Sequence, residues 1–286
     1  MTIRDDLETR GFVATRADRS LADEAMTSPF AAAARVIGEA PLFVERQNIR
    51  PMLGGRSIAS SRGDAPFHTD SQMILGVPPT VQILVCARDA RWGGETILVD
   101  AFATLERLAR EDAPLFAAAF DEPVSQTFYF GEVRGPIAAL RGGHLAVTHA
   151  PHAVEGSAPA RFARELAREA PIELALRDGD VLVASNHRLV HGRRAFDDAS
   201  ERELVRLLVW LERPLAAPPA LVARAREVAG GPPAATAVAR VRAVTALLRG
   251  APPARVAADA GLRESELYAL RDRFLAGGMR EILRET

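Results

Sequence analysis

The chain has 286 residues, 48% of them apolar and 26% charged, enough to bury one large core with a small appendage, and a disordered or fibrous chain is excluded. Arginines and acids nearly cancel, 36 against 37 for a net charge of −1, which removes any global attraction to nucleic acid or anionic lipid. The single cysteine, Cys86, excludes an internal disulfide and a zinc–thiolate cluster, and the lack of any lysine excludes Schiff-base lysine chemistry and a Walker-type phosphate loop.

No apolar run approaches the ~20 residues of a membrane span, and the opening MTIRDDLETR lacks the apolar centre of a signal peptide. A soluble, cytoplasmic protein is expected. The first 50 residues are mixed, with a helix predicted over Ser28–Gly38. From about residue 80 to 213, short runs rich in Val, Ile and Leu alternate with turn clusters: TVQILVC, GETILVDA, GGHLAVTHA, GDVLVASNHRLVHG and ELVRLLVWLER. Runs of this length bounded by Gly, Pro or Asp read as strands. Helical spacing interrupts them at Phe102–Arg110 and Pro159–Glu169. The expected fold is mainly β with helical insertions, a double-stranded β-helix (jelly roll) over residues 1–215.

Pro- and Gly-rich sequence around one short helical stretch then predicts a linker at 216–235, followed by a small all-α domain at 236–286. There Thr236 can cap a helix carrying Val238, Val241, Val244, Leu247 and Leu248. A short helix follows at Arg255–Ala260, and a third with Leu267, Leu270, Phe274 and Leu275 on one face.

The chemistry rests on the histidines. APFHTDSQ sets His68 and Asp70 two residues apart, so on an extended segment both face the same way and can grip one ion. NHRLVHGRRAF supplies His191 after another strand-like run. Two imidazoles and a carboxylate on one face of a metal form the triad of non-haem Fe(II) oxygenases. Alone, H-x-D is more often a solvent-facing pair or a local hydrogen bond; it is the further residues at compatible spacing that give it weight.

Those residues make the chain resemble the Fe(II)/2-oxoglutarate-dependent dioxygenases of the taurine dioxygenase and clavaminate synthase-like superfamily, and its middle is also similar to the γ-butyrobetaine hydroxylase branch. The resemblance covers roughly residues 60–213. It is carried by His68 and Asp70, the GGET stretch ending in Thr96, the NHRLVHGR stretch with His191, and Arg202 eleven residues beyond that histidine.

The resemblance implies that His68, Asp70 and His191 bind Fe(II), and that Arg202 holds the distal carboxylate of 2-oxoglutarate as a guanidinium fork, with Thr96 donating its hydroxyl. O₂ would be the second cosubstrate. Arg206, fifteen residues after His191, matches an arginine over the active site of related enzymes and is expected to meet an anionic group on the substrate or the cosubstrate carboxylate; Gln82 and Gln72 are candidate pocket-lining polar groups. Halogenating relatives lack the carboxylate, so Asp70 favours hydroxylation, desaturation or ring chemistry. The expected substrate is a small molecule such as an amino acid or natural-product intermediate.

Other features are weighed more lightly. His187 reads as a surface residue or one behind the ligands, Trp92 beside Gly93–Gly94 as a candidate lid, and His144, His149 and His152 as no more than a weak second cluster. In the tail, VAADAGLRESELYALRDRF resembles a helix-turn-helix, which raises the alternative of a DNA-binding regulator with the jelly roll as its sensor. Nucleic acid is a disfavoured partner, because residues 236–286 hold nine Arg against six acids and the candidate recognition helix begins with Glu264 and Glu266. A homodimer is left open.

Overall fold

A computed structural model describes residues 2–275 apart from 19, 53–58, 71–77, 122–123, 129–130, 142–143, 152–153, 198–199, 214, 230–236, 261, 263, 265–266, 269 and 273. Gln72, Thr236 and His152 therefore lie outside the described residues.

In chain order the elements are α1 (Ile3–Thr9), β1 (Phe12–Arg16), α2 (Ser20–Thr27), α3 (Pro29–Ile37), β2 (Pro41–Ile49), β3 (Ala65–His68), β4 (Val81–Arg88) and β5 (Thr96–Asp100). Then come α4 (Ala101–Glu111), α5 (Ala113–Asp121), β6 (Val124–Phe128), β7 (Gly131–Gly135), β8 (Ala138–Arg141), β9 (His144–Val147) and α6 (Ala158–Leu166). The remainder are β10 (Ile172–Leu174), β11 (Asp180–Ser185), β12 (Leu189–Arg193), β13 (Glu203–Leu211), α7 (Pro219–Val228), α8 (Ala237–Leu248) and α9 (Pro253–Asp259). The chain divides into two compact units, Met1–Gln72 with Pro78–Gly231, and a second that holds Pro232–Thr286.

In the first unit two antiparallel sheets face each other: a five-stranded sheet ordered β1-β11-β4-β13-β2 and a four-stranded sheet ordered β10-β5-β12-β3. This is the expected jelly roll, as an open pair of sheets rather than a closed barrel. Leu84, Cys86, Leu182, Ala184 and Leu204 of the larger sheet pack against Leu98 and Leu189 of the smaller. The reverse face of the larger sheet, through Val81, Ile83, Val205, Leu207 and Val209, is covered by Leu7, Leu21, Ala25, Ala32 and Ala33 of α1–α3. The smaller sheet turns Val99 and Val190 toward Phe102, Leu105, Phe116 and Phe162 of α4–α6. Burial on both faces explains why β4 and β13 read as continuous apolar runs instead of alternating ones. Each fully buried Leu, Ile or Val contributes roughly 1.5–3 kcal/mol, so these layers hold the site residues in register.

Local signals start the helices. Thr2 and Asp5 form a reciprocal capping box on α1. Asp100 accepts from the backbone N–H groups of Phe102 and Ala103 at 3.0 and 3.2 Å, ending β5 and starting α4 at one residue. The segment expected as a linker begins with a packed helix: Leu221 and Ala225 of α7, four residues apart, are buried in the α4–α6 layer. That part of 216–235 belongs to the first unit.

In the second unit Ala243, Val244, Val256, Ala257 and Leu267 form a small core. Of the stripe predicted for the third helix, Leu267 is buried whereas Phe274 and Leu275 are exposed; Leu248, predicted on the first helix of this unit, is exposed too. Within the segment that resembles a helix-turn-helix, Gly261, Arg263 and Glu266 fall outside the described residues. Among the described residues no helix is long and apolar enough to cross a membrane.

Candidate metal centre

β3 and β12 pair antiparallel with His68 directly opposite His191, so both imidazoles leave the same face of the smaller sheet. Their ring centroids lie 4.3 Å apart. His68 Nδ1 donates to the carbonyl of Pro66 at 2.8 Å, which fixes the tautomer and leaves Nε2 as the lone-pair donor. Asp70, just past the end of β3, brings its Oδ2 to 3.7 Å from His191 Nε2. One donor atom from each of the three residues lies within 4.8 Å of the others, and among the described residues no other group of three His, Cys, Asp or Glu side chains converges in this way.

The carboxylate is held on every side. Arg206 Nη1 donates to Asp70 Oδ1 at 2.9 Å, and Gln82 Nε2 to Oδ2 at 2.5 Å while lying 3.3 Å from His191 Nε2. Arg206 reaches there from β13, where it pairs with Gln47 of β2 and bonds its side chain through Nη2. The Asp70 backbone is clamped from the β11–β12 turn: Asn186 Oδ1 accepts from the Asp70 N–H at 2.9 Å, and Asn186 Nδ2 donates to the carbonyls of Asp70 and Pro79 at 2.8 and 2.9 Å. On the other flank, Thr69 N–H donates to the His149 carbonyl and His149 N–H to Thr69 Oγ1.

Charge state follows from this enclosure. Burial would raise the Asp70 carboxyl, yet Arg206, His191 and His68 hold it below the ordinary carboxylate value. Burial pushes the His191 imidazole down to about 3, aided by His68, and lowers His68 as well. An ionised carboxylate and two neutral imidazoles are the protonation states a metal requires. This donor set, with Nε2 of His68 exposed to the site, fits a ferrous ion.

The same cavity is lined by Thr96, Arg193 and Arg202. Thr96 opens β5, opposite Arg193 of β12. Arg202 is buried, and Nη2 donates to the carbonyl of Gly94 at 3.2 Å. Burial and then neighbouring Arg193 lower its guanidinium to about 10. Among the described residues it has no carboxylate partner, and a buried guanidinium so placed fits an anion such as the distal carboxylate of 2-oxoglutarate. The Gly-Gly turn makes the approach possible. Gly93 and Gly94 have φ of 72° and 75°, and a Cβ on Gly93 would sit 2.2 Å from the Ala195 carbonyl.

Seven of the eight residues expected from the sequence fall among those described, and all seven line one cavity: His68, Asp70, Gln82, Thr96, His191, Arg202 and Arg206. Arg206 differs from expectation in already being engaged by Asp70 and Gln47. His187 is buried rather than superficial, with Nε2 donating to the Pro78 carbonyl at 3.0 Å. Trp92 is exposed, and the glycines after it are tied down, Gly93 by a bridge to Phe196 and Gly94 by the Ala195 carbonyl. Sequence reasoning missed Asn186, Gln47 and Arg193. An Asn in the short turn between two strand runs was the available signal for the first.

Comparison with known proteins bears on the fold and the family. The chain resembles asparagine oxygenase solved with Fe(II), 2S,3S-3-hydroxyasparagine and succinate, at 17% identity over 73% of this chain and 76% of that one, with a TM-score of 0.53. It also matches the non-haem iron oxygenase OrfP solved with Fe and α-ketoglutaric acid, at 17% identity over 73% and 79% of the chains and a TM-score of 0.48. A taurine dioxygenase from Burkholderia xenovorans matches at 19% identity over 70% and 77%, again with a TM-score of 0.48. No curated protein sequence matches the chain. The sequence profile of one family, however, matches residues 2–157 and 158–208, spanning both strands that carry the candidate ligands. The chain is thus a member of the taurine catabolism dioxygenase TauD/TfdA family, and so an Fe(II)- and 2-oxoglutarate-dependent oxygenase of small molecules.

Proposed function

We propose that His68, Asp70 and His191 hold Fe(II), that Arg202 and Thr96 take the distal carboxylate of 2-oxoglutarate, and that the enzyme hydroxylates or desaturates an unactivated C–H bond. The substrate is a small molecule with an anionic group, an amino acid or natural-product intermediate, and the co-products are succinate and CO₂. The metal and keto acid, when bound, supply the activation of O₂ and the electrons for C–H oxidation.

The chain's own residues orient and enclose. Asp70 stays ionised because Arg206 neutralises it, and Asn186 fixes its backbone so that the carboxylate meets both imidazoles. Beside it two buried polar atoms are left over, Arg206 Nε and Gln82 Oε1. The Arg202 and Arg206 guanidinium groups that line the cavity support a substrate or cosubstrate with an anionic group. Gln72 is retained as a substrate contact on its sequence position alone.

The observation that carries the reading is the convergence of the three donors and Arg202 on one cavity. The test is succinate release by Fe(II)-loaded protein across a panel of amino acids and their derivatives, with mass spectrometry of the products. Succinate that depends on one panel member, with gain of oxygen or loss of two hydrogens, is expected. Failure of the iron-loaded protein to bind 2-oxoglutarate at millimolar concentration would overturn it.

A further inference from the structure

Three guanidinium groups surround one aromatic ring next to the site. The Cζ atoms of Arg193, Arg202 and Arg62 lie 4.9, 5.6 and 5.8 Å from the centroid of Phe196. Phe196 is itself buried, so these cations meet a π face in a medium that screens little, where such contacts are strongest.

The ring also stands where three loops join. Its backbone N–H donates to the Arg62 carbonyl at 3.0 Å, and it forms an isolated bridge with Gly93. The residue before it, Ala195, accepts from Gly94 N–H at 3.0 Å and donates its own N–H to Asp64 Oδ1 at 2.8 Å. Arginine side chains close the junction in both directions. Arg193 Nη2 donates to the carbonyls of Ser61 and Gly63 at 2.8 and 2.5 Å, and Arg62 Nη1 to those of Asp197 and Ser200, both at 2.9 Å.

Two of the three arginines are thereby spent on backbone carbonyls, whereas Arg202 has only the Gly94 carbonyl. Like charges packed this closely repel, and among the described residues no carboxylate bonds Arg202 to offset that. Glu95 favours the charged form at longer range without bonding it, and the quadrupole of the ring is what the site sets directly against the guanidinium.

We infer that Phe196 is a positioning residue for the cosubstrate: its ring holds the Arg202 guanidinium in place against repulsion from Arg193, so that the fork is set before the keto acid arrives. This rests on the reading that Arg202 grips 2-oxoglutarate, and it goes beyond it by assigning a role to a residue that touches neither metal nor keto acid. Preorganising a charged group lowers the cost of binding, so removal of the ring weakens 2-oxoglutarate and leaves the metal ligands as they were.

The experiment measures the dissociation constants of Co(II), and of 2-oxoglutarate on the Co(II)-loaded protein, by titration calorimetry. It compares the natural chain, Arg202→Gln, Phe196→Leu, and the full-length chain with pentafluorophenylalanine at 196, which keeps the ring's shape and inverts its electrostatics. The expected result is a 2-oxoglutarate affinity about tenfold lower in both ring variants, with Co(II) affinity unchanged. If Phe196→Leu does not fold, the fluorinated chain carries the test alone. Unchanged 2-oxoglutarate affinity in the fluorinated chain, or equal losses for metal and keto acid, would overturn the inference while Arg202→Gln still binds weakly. Unchanged affinity in Arg202→Gln would instead remove the reading of Arg202, and the inference with it.

Discussion

Arg206 and Asp70 form a buried ion pair, Nη1 to Oδ1 at 2.9 Å, with each side chain less than a tenth exposed. A guanidinium bound to a metal-ligating carboxylate orients it and keeps it charged. Arg206→Gln is expected to lower Fe(II) affinity by about ten- to a hundredfold. Because Arg206 is the largest of the influences that counteract burial at Asp70, the carboxyl of the variant titrates higher, and the midpoint of metal binding moves to higher pH. Titrations with Fe(II) under anaerobic conditions from pH 7.5 down to pH 4 check both effects; a pH profile identical to that of the natural chain would count against the pairing.

Asn186 joins the turn after β11 to the segment after β3 through three side-chain hydrogen bonds, two of them to the Asp70 backbone. Asn186→Ala leaves buried N–H and C=O groups unmet, at a cost of about 1–3 kcal/mol. Urea unfolding measures that loss, and Fe(II) affinity should fall with it because the ligand turn is released. Asn186→Asp, which keeps the acceptor but turns a carboxylate oxygen onto the carbonyls of Asp70 and Pro79, should lose at least as much.

At Gly94 the two consequences of a side chain can be separated. Its φ is +75°, and an added Cβ would meet Arg202 Nε at 3.1 Å; at Gly38 φ is +83° with nothing within 4 Å. Gly94→Ala and Gly38→Ala should each lose about 1–2 kcal/mol of stability from the left-handed backbone. Only the first should raise the KM for 2-oxoglutarate, since only there does the new methyl group press on Arg202. Equal KM values in the two variants would contradict the placement of Arg202.

His187 is buried, and burial pushes its imidazole down to about 4 despite the bond to the Pro78 carbonyl. The unfolded chain binds a proton at this residue near pH 6.5, so between about pH 6.5 and 4 the unfolded state carries the extra proton and stability falls as pH falls. A shift of this size corresponds to roughly 3 kcal/mol, fully lost only below the folded value. Unfolding free energies from pH 7.5 to 4.5 should decline less steeply in His187→Gln than in the natural chain; His149, lowered to about 4 by burial and nearby His68, supplies part of the slope that remains.

What the sequence made legible was local. His68 and Asp70 share a face because of their spacing, and β4, β5 and β13 declare themselves through Val, Ile and Leu runs. Relationships set by sheet order were not legible. Gln47 meets Arg206 only because β2 lies beside β13, and nothing within β2 announces that pairing, since its burial is irregular along the strand. The helix α5 was missed because Ala113–Asp121 is apolar on nearly every side, with Leu115, Phe116, Ala119 and Phe120 all buried, so no single stripe marks it. In α7 the flanking prolines and glycines suggested a linker, while the two apolar positions that dock the helix carry little weight in composition.

The most direct measurement is the stoichiometry and affinity of Fe(II) under anaerobic conditions, with and without 2-oxoglutarate, in the natural chain and in His68→Ala and His191→Ala. One tightly held ferrous ion per chain is predicted, with affinity falling by about a hundredfold or more when either imidazole is removed. Undiminished binding of Fe(II) in His191→Ala would contradict the account.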